Sequence, residues 1–323
     1  MKRICLPVVA YFCFYLQNFG QFKVVGYVTV SKYFQPDYER IQFNKLTHIN
    51  LAFINPDSTG SFSTPKGLDS LILVAHTSGV KVLASIGGGN SPATISQLLE
   101  KENRNRFIDS IVFFINLHNL DGEDIDLEGD AVDKNYSSFV KELGIKLKKE
   151  KKLFTAAVAG YYADKIPNTL IESFDFINIM SYDYKGPWTP KEPGQHSAYY
   201  KAVEDINFWT IKRGIPKKKV ILGVPFYGYN FSKDTITGLS FRTITQFNMG
   251  AEQVDSFKIN DSSTVYYNGL ITMRKKIKLA LAKAGGIMIW QLYQDAGGDQ
   301  SLLNLITQEL IDNKKRKGSI NNK

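Results

Sequence analysis

The chain has few of the residues that build disulfides, thiolate sites and histidine-based metal sites. Its two cysteines, Cys5 and Cys13, both lie close to the N-terminus. Because that segment resembles a removable leader, the rest of the chain would carry no cysteine, which excludes disulfides and thiol chemistry from it. Four histidines stand at positions 48, 76, 118 and 196, and no two have the spacing of zinc ligands. We therefore expect no metal and no cofactor.

The N-terminal segment 1–20 has the layout of a secretory signal peptide. Two basic residues precede an apolar run from Ile4 to Leu16, and polar residues follow it. The run is too short to span a membrane comfortably, because a spanning helix needs about 20 apolar residues. We expect cleavage after Gly20 and a secreted protein, extracellular or periplasmic, with no membrane contact thereafter. A retained N-terminal anchor is the alternative.

The chain is basic, with 40 Lys and Arg against 31 Asp and Glu and a formal net charge of +9. Part of this excess comes from four consecutive basic residues at positions 314–317. No aromatic residues alternate with them, so we expect no nucleic-acid partner. We expect residues 314–323 to form a solvated, disordered tail.

Eight apolar segments rich in β-branched residues recur along the chain. The predicted strands are Val24–Val30, Leu46–Ile54, Val80–Ile86, Leu120–Glu128, Leu153–Ala159, Phe174–Tyr182, Val220–Tyr227 and Gly286–Gln291. The amphipathic segments between them include Thr94–His118, Tyr136–Lys149, Lys201–Lys212 and Met273–Ala284. This alternation predicts an α/β fold, and eight strands in one domain over 21–313 favour a (β/α)8 TIM barrel. A nucleotide-binding open sheet is disfavoured, because no phosphate-cradling glycine pattern follows the first strand.

The acidic segment 121–128, Asp-Gly-Glu-Asp-Ile-Asp-Leu-Glu, is the most informative stretch of the sequence. Side chains alternate between the two faces of a strand, so Asp124, Asp126 and Glu128 would share one face. Neighbouring carboxylates disfavour each other's ionisation, which suits a site that needs a protonated carboxylic acid at neutral pH. A solvated acidic edge and a calcium loop are the alternatives. A calcium loop is disfavoured because the glycine comes second and no helix pair flanks the segment.

Other distinctive residues also fall where predicted strands end. Glycines 87–89 follow the third strand, Tyr182 and Asp183 end the sixth, and Trp290 ends the eighth. Active sites of TIM barrels lie at the carboxyl ends of the strands. These residues are therefore predicted to converge with Glu128 at one mouth of the barrel.

Motifs at these strand ends resemble those of the glycoside hydrolase family 18 chitinases. The matching positions are Asp121–Glu128 (DxxDxDxE), Ser85–Gly88 (SxGG), Met180–Asp183 (MxYD), Gly26–Tyr27, Phe53 and Trp290. They occur in the order of the family and extend over almost the whole chain after the leader. The resemblance implies the barrel fold and an activity on chitin.

The resemblance also implies a mechanism, in which the 2-acetamido group of the substrate acts as the nucleophile and the anomeric configuration is retained. In this scheme Glu128 protonates the leaving oxygen and later activates water. Asp126 orients the acetamide and shares a proton with Asp124 or Glu128. Tyr182 and Asp183 hold the acetamide and stabilise the charge that develops.

The same resemblance implies a set of substrate-binding residues. Trp290 would form the floor under the reacting sugar, and Trp188 would stack on the leaving side. The other expected residues are Tyr27, Phe53, Gly87, Gly88, Met180 and Tyr227. The expected partners are chitin or chito-oligosaccharides, bound by a monomer.

Two features depart from the family pattern. Many members insert a small α+β domain between the seventh and eighth strands, but here only residues 228–285 separate them, so we expect no full insertion. The resulting shallower cleft favours endo-type cleavage. In addition, Tyr229 stands where the family usually has an arginine.

Three functions are compatible with these patterns. The first is a secreted chitinase that hydrolyses β-1,4-linked N-acetylglucosamine, and the full acidic motif favours it. The second is an endo-β-N-acetylglucosaminidase acting on N-glycan cores, which uses the same acetamide assistance. The third is a chitin-binding lectin without turnover, which is disfavoured because such members typically lack the final glutamate, here Glu128.

Overall fold

The computed structural model describes residues 22–31 and 34–321, so the predicted leader lies outside the described residues. Strands in the described part are β1 (Lys23–Thr29), β2 (His48–Ala52), β3 (Lys81–Gly87), β4 (Gly122–Asp126), β5 (Leu153–Val158), β6 (Phe176–Ile179), β7 (Val220–Pro225), β8 (Tyr227–Ser232), β9 (Ile236–Ser240), β10 (Ser256–Asn260), β11 (Ser263–Tyr266) and β12 (Gly286–Trp290).

Eight of these strands close into a parallel barrel in the order β1-β12-β7-β6-β5-β4-β3-β2. Each of the eight predicted strands overlaps one of them, so the predicted TIM barrel is confirmed. Strands such as β7 (VILGVP) are almost wholly apolar. This composition is typical of parallel strands, because helices cover their outer face and the barrel interior covers the other.

Helices cover the outside of the barrel. Their bounds are α1 (Tyr38–Ile41), α2 (Leu68–Thr77), α3 (Ile95–Leu98), α4 (Lys101–Leu117), α5 (Tyr136–Lys149), α6 (Asn168–Ile171), α7 (Tyr199–Asn207), α8 (Phe241–Phe247), α9 (Leu270–Lys283) and α10 (Leu302–Asn321). In α5 the buried residues Tyr136, Phe139, Val140, Leu143 and Leu147 recur at helical spacing and form one apolar face. Over the ranges the structure covers, every helix is too short or too polar to cross a bilayer.

The core has two layers, which the alternation of side chains along each strand separates. The outer layer lies between strands and helices and includes Ile125 and Leu127. The inner layer, inside the barrel, consists of Val25, Tyr27, Ala52, Phe176, Tyr182, Ile221 and Met288, with Phe53, Met180 and Trp290 packed against it. Tyr27, Phe53, Tyr182 and Trp290 of this layer lie toward the carboxyl ends of the strands, where the barrel opens, whereas Phe176 begins β6 at the opposite end.

The seventh barrel strand ends at Pro225, two residues earlier than predicted. The next residue, Phe226, donates its backbone N–H to the carbonyl oxygen of Trp290 at 2.8 Å. Tyr227 then starts a second sheet, in which it pairs with Ser240. Strands β8–β11 form this four-stranded antiparallel sheet in the order β10-β11-β8-β9. It is smaller than a full α+β domain, as predicted, and we call it the small sheet.

The C-terminal segment differs from the expected disordered tail. Helix α10 begins with the buried residues Leu302, Leu303 and Ile306 and continues to Asn321. The basic run 314–317 lies within it. Lys and Arg are good helix formers, so a helix that is already anchored by buried leucines can extend through them. The expectation of disorder from residue 314 is therefore wrong as far as Asn321.

Glu123 is a buried acid on the outer face of β4, which it shares with Ile125 and Leu127. It is 1% exposed, and among the residues the structure describes its Oε1 atom has no hydrogen-bond partner. Burial, followed by the charge of Asp124, raises the pKa of Glu123 well above its usual value. The native state therefore holds this proton at pH values where the unfolded chain has lost it. The stability that the neutral side chain contributes is present below the pKa of Glu123 in the unfolded chain. It is lost as the pH rises toward the pKa of Glu123 in the native state.

We expect Glu123→Gln to become more stable than the wild type as the pH rises, because glutamine cannot ionise. The gain should reach about 1–3 kcal/mol of unfolding free energy at alkaline pH and vanish at acidic pH. Urea unfolding of both proteins across a pH series measures it. A difference that stays constant over the whole series would show that ionisation of Glu123 does not limit stability.

Candidate active site

The acidic motif places three carboxyl groups on the inner face of the barrel. Asp124 and Asp126 lie in β4, and Glu128 follows two residues beyond the end of the strand. In the parallel register with β3, Asp124 is opposite Ser85 and Asp126 is opposite Gly87. The acids and the SxGG motif therefore meet at the carboxyl end of two neighbouring strands.

Asp124 is the innermost of the three acids and is held by hydroxyl groups. Tyr27 and Ser85 donate to its Oδ2 atom at 2.6 and 2.8 Å, and Thr155 donates to Oδ1 at 2.5 Å. Burial raises the pKa of Asp124, while the hydrogen bonds from Thr155, Tyr27 and Ser85 lower it. Both oxygens are used by the protein, so Asp124 is a fixed neighbour of Asp126 and has little capacity for a ligand.

Asp126 is different, because its buried oxygen atom is unused. The residue is 3% exposed, and its Oδ1 atom has no hydrogen-bond partner within the described part of the chain. Burial raises the pKa of Asp126 well above its usual value, and the charges of Glu128 and Asp124 raise it further. Buried polar atoms are nearly always paired, so this atom is suited to accept a hydrogen bond from a ligand or to carry a proton.

Glu128 stands at the rim of the cluster and is half-buried. Burial raises its pKa; a hydrogen bond from Tyr161 lowers it, and the charge of Asp183 raises it again. The Tyr161 hydroxyl lies 3.4 Å from Oε2 of Glu128. Burial and the charge of Glu128 in turn raise the pKa of Tyr161 to about 12. Glu128 is thus an acid that keeps its proton at higher pH than usual and remains open to the cleft.

The glycines of the SxGG motif make a tight turn against the acids and leave no open space at their own Cα atoms. Gly87 and Gly88 have φ of 120° and 83°. A Cβ atom on Gly87 would lie 2.2 Å from the carbonyl oxygen of Asp126, and one on Gly88 would lie 2.2 Å from the Phe53 ring. Space at these two positions is therefore occupied by the protein, and only glycine fits the tight turn there.

Three aromatic residues join the last strand of the barrel to the acids. The Trp290 ring stacks on that of Phe53 at 5.6 Å between centroids and lies 5.4 Å from that of Tyr27. Tyr27 is also a hydrogen-bond donor to Asp124. The peptide bonds before Phe53 and after Trp290 are cis. Trp290 is thus placed on the same side of the barrel as the carboxyl cluster, beside the ring that closes over Gly88.

The sixth strand contributes Tyr182 and Met180 just after its end. The Tyr182 ring is buried in the inner layer, where its hydroxyl lies 3.9 Å from the sulfur of Met288. Burial raises the pKa of Tyr182 well above its usual value, with the charge of Asp126 as the next cause. Met180 packs against both core layers. Tyr182 is therefore a neutral phenol within the field of the carboxyl cluster.

Asp183 is held by groups from the small sheet and from the loop after β6. Its Oδ1 atom accepts hydrogen bonds from the hydroxyls of Tyr227 and, at 3.1 Å, of Tyr229. Nδ1 of His196 lies 3.3 Å from the same oxygen. Asp183 has a φ of 65°, unusual for a residue other than glycine, so its position is maintained by these contacts.

Trp188 lies at the outer edge of this group and is 56% exposed. Its ring meets that of Tyr229 edge to face, 5.8 Å between centroids. The expected residues thus occupy the same end of the barrel, with Trp188 at the rim.

Sequence reasoning missed four residues of the site. Thr155 and Asn178 are single polar residues within strands, and Tyr161 and His196 follow strands in the connecting segments. Over the described ranges, no three His, Cys, Asp or Glu side chains form a metal-binding group.

Comparison with known proteins relates this geometry to a family. The sequence profile described as "Glycosyl hydrolases family 18" matches residues 23–295. The GH18 chitinase ChiB from the chitin utilization locus of Flavobacterium johnsoniae is 39% identical, with a TM-score of 0.84 over 90% of this chain and 94% of that one. A chitinase from Bacteroides thetaiotaomicron is 31% identical, with a TM-score of 0.78 over 90% and 96% of the two chains.

The curated relatives are less similar than the Flavobacterium chitinase, with identities from 26% to 33%. Human chitinase-3-like protein 2 is 27% identical over 67% of this chain and 70% of its own length. Several others are longer proteins, of which the matched region makes up only 16% to 55%. Since the family profile covers most of the sequence and the motifs that define the acidic site lie within it, the chain belongs to glycoside hydrolase family 18.

Proposed function

We propose that the protein is a secreted, endo-acting chitinase that hydrolyses β-1,4-linked N-acetylglucosamine with retention of configuration. One observation carries the proposal: Asp126, buried with a free Oδ1 atom, is flanked by a held carboxylate, Asp124, and a reachable acid, Glu128. Similarity to the Flavobacterium and Bacteroides chitinases supports the substrate class. The apolar leader at residues 1–20 supports secretion.

Glu128 acts first as general acid. Burial raises its pKa, so it holds its proton to a higher pH than an ordinary glutamic acid, and its position at the rim lets it reach the oxygen between two sugars. As the glycosidic bond breaks, the carbonyl oxygen of the substrate's 2-acetamido group attacks the anomeric carbon and forms an oxazolinium ion. Glu128, now a carboxylate, then takes a proton from the water that opens this ring, so two inversions give net retention.

Asp126 acts on the acetamide group. Its free oxygen accepts the acetamide N–H, which turns the carbonyl oxygen toward the anomeric carbon. An ionised Asp126 also stabilises the positive charge of the oxazolinium ion. Burial and the charges of Glu128 and Asp124 raise the pKa of Asp126, so its proton must move away as the charge develops. Asp124 is the neighbour that takes this proton, which leaves Glu128 a carboxylate for the water step.

The aromatic residues position the sugar. Trp290, beside Phe53 and Tyr27, offers an indole face for the apolar side of the reacting ring. The hydroxyl of Tyr182 is available to the acetamide carbonyl. The small sheet has only four strands and is smaller than a full α+β insertion, which favours a shallow cleft and cleavage within a chain.

Product analysis by mass spectrometry tests the proposal. The protein without residues 1–20 is incubated with chito-oligosaccharides and, separately, with a high-mannose glycopeptide. We expect internal cleavage of the oligosaccharides, with several product lengths at the earliest times. Cleavage of the glycopeptide alone would identify an endo-β-N-acetylglucosaminidase. Binding of oligosaccharides without any product would identify a lectin, and dimer as the dominant early product would contradict endo action.

A further inference from the structure

The small sheet contacts the reaction site through Tyr229. This residue lies in β8, opposite Tyr266 of β11, and its side chain is half-buried. Its hydroxyl donates to Oδ1 of Asp183 at 3.1 Å, and its ring touches that of Trp188 edge to face. One side chain therefore reaches both the acid that follows Tyr182 and the exposed indole at the rim.

The position of Asp183 depends on the groups that contact its Oδ1 atom, which are the hydroxyls of Tyr227 and Tyr229 and the ring of His196. Nε2 of His196 lies 3.2 Å from the carbonyl oxygen of Tyr227, which can only accept, so this nitrogen carries a hydrogen. Nδ1 of His196 faces Asp183, and that contact needs a second ring hydrogen or a proton on Asp183. Two phenol hydroxyls donate to the same oxygen of Asp183, so Tyr227 and Tyr229 fix its position together with His196.

The loop that carries Trp188 is closed at its base and held at its tip. At the base, the N–H of Tyr184 donates to the carbonyl oxygen of His196 at 3.0 Å. Next to it, the buried amine of Lys276 contacts the carbonyl and hydroxyl oxygens of Ser197 at 2.6 Å each. At the tip, the Trp188 ring lies against Gly186, where a Cβ atom would come within 2.8 Å of it. Tyr229 supports its edge.

We propose that Tyr229 is a positioning residue that fixes Asp183 through its hydroxyl and supports Trp188 through its ring. The inference rests on the proposed function, since it assigns Asp183 to the acetamide and Trp188 to the sugars on the leaving side. The two roles belong to different parts of one side chain, so two substitutions separate them. Tyr229→Phe removes only the hydroxyl, and Tyr229→Leu removes the hydroxyl and the aromatic ring.

The test compares chitohexaose, which extends past the cut, with an aryl chitobioside, whose leaving group is too short to cover the rim. We expect Tyr229→Phe to lower kcat about tenfold or more on both substrates with unchanged KM, because it removes a hydrogen bond to a charged group. Tyr229→Leu should in addition raise KM, for chitohexaose only. Tyr266→Phe, which removes a hydroxyl from the opposite residue of the same sheet, should behave as the wild type.

Unchanged kcat in Tyr229→Phe would overturn the role of the hydroxyl. If Tyr229→Leu changed kcat and KM equally on both substrates and also had a lower Tm, the ring would contribute only to packing. A wild-type protein without turnover would refute the proposed function instead. Calorimetry with chitohexaose would then still test whether the Tyr229 ring supports Trp188. Weaker binding by Tyr229→Leu than by Tyr229→Phe supports the contact with Trp188, and equal binding overturns it.

Discussion

Glu128→Gln should abolish hydrolysis of chito-oligosaccharides while binding of the same sugars persists. Glutamine has nearly the same shape as glutamic acid but no acidic proton, so it can neither protonate the leaving oxygen nor activate water. General acid–base catalysis contributes about 10²–10⁴-fold, and both steps need this group, so we expect kcat to fall by about 10³-fold or more. Turnover and calorimetric titration with chitohexaose measure the two effects separately.

Glu123→Gln is a matched control, because it makes the same exchange on the outer face of β4, the strand that leads to Glu128. We expect wild-type turnover from it at neutral pH. If Glu128→Gln retained wild-type activity, the assignment of the general acid would be wrong. If both variants lost activity, distortion of β4 would explain the loss equally well, and the result would not support Glu128 as the general acid.

Asp126→Asn should also reduce turnover strongly while leaving affinity for oligosaccharides nearly unchanged. The amide can still offer its oxygen to the acetamide N–H, but it cannot develop the negative charge that stabilises the oxazolinium ion. Removal of one preorganised electrostatic partner costs about 10²–10³-fold in kcat, and we expect an effect of that size. Initial rates with chitohexaose, together with KM, measure it.

Asp121→Asn provides the comparison on the same strand. Asp121 accepts hydrogen bonds from His76, Lys81 and the backbone of Val82, all at the opposite end of the barrel from the cleft. The Asp121→Asn substitution should therefore lower Tm and leave kcat unchanged. An Asp126→Asn protein that kept full kcat would show that the sugar's acetamide does not depend on this carboxylate.

Strand periodicity predicted the barrel well, because each parallel strand is buried on both faces and therefore forms a continuous apolar run. The small sheet was not predicted. Its strands are short, and neither β9 nor β10 has a buried residue, so no core imposes a pattern on the sequence of those two. The end of β7 was misjudged for a related reason, since Phe226 and Tyr227 are apolar like the strand before them although the chain leaves the barrel there.

The acids of the site could be predicted because alternation alone places them on one face of β4. Their partners could not. Thr155 and Asn178 meet Asp124 only because β5 and β6 close beside β4, and each is a single polar residue within an apolar strand. His196 reaches Asp183 through a loop whose path leaves no pattern in the sequence. Such contacts depend on closure of the barrel rather than on local spacing.

The central claim is that the substrate supplies the nucleophile while Glu128 supplies and removes the proton. Hydrolysis of a partially N-acetylated chito-oligosaccharide tests it most directly, with the sugar at each new reducing end identified by mass spectrometry and its initial anomer by NMR. We expect every new reducing end to be N-acetylglucosamine and to be released as the β anomer. New reducing ends that are glucosamine, at the frequency present in the substrate, would contradict it.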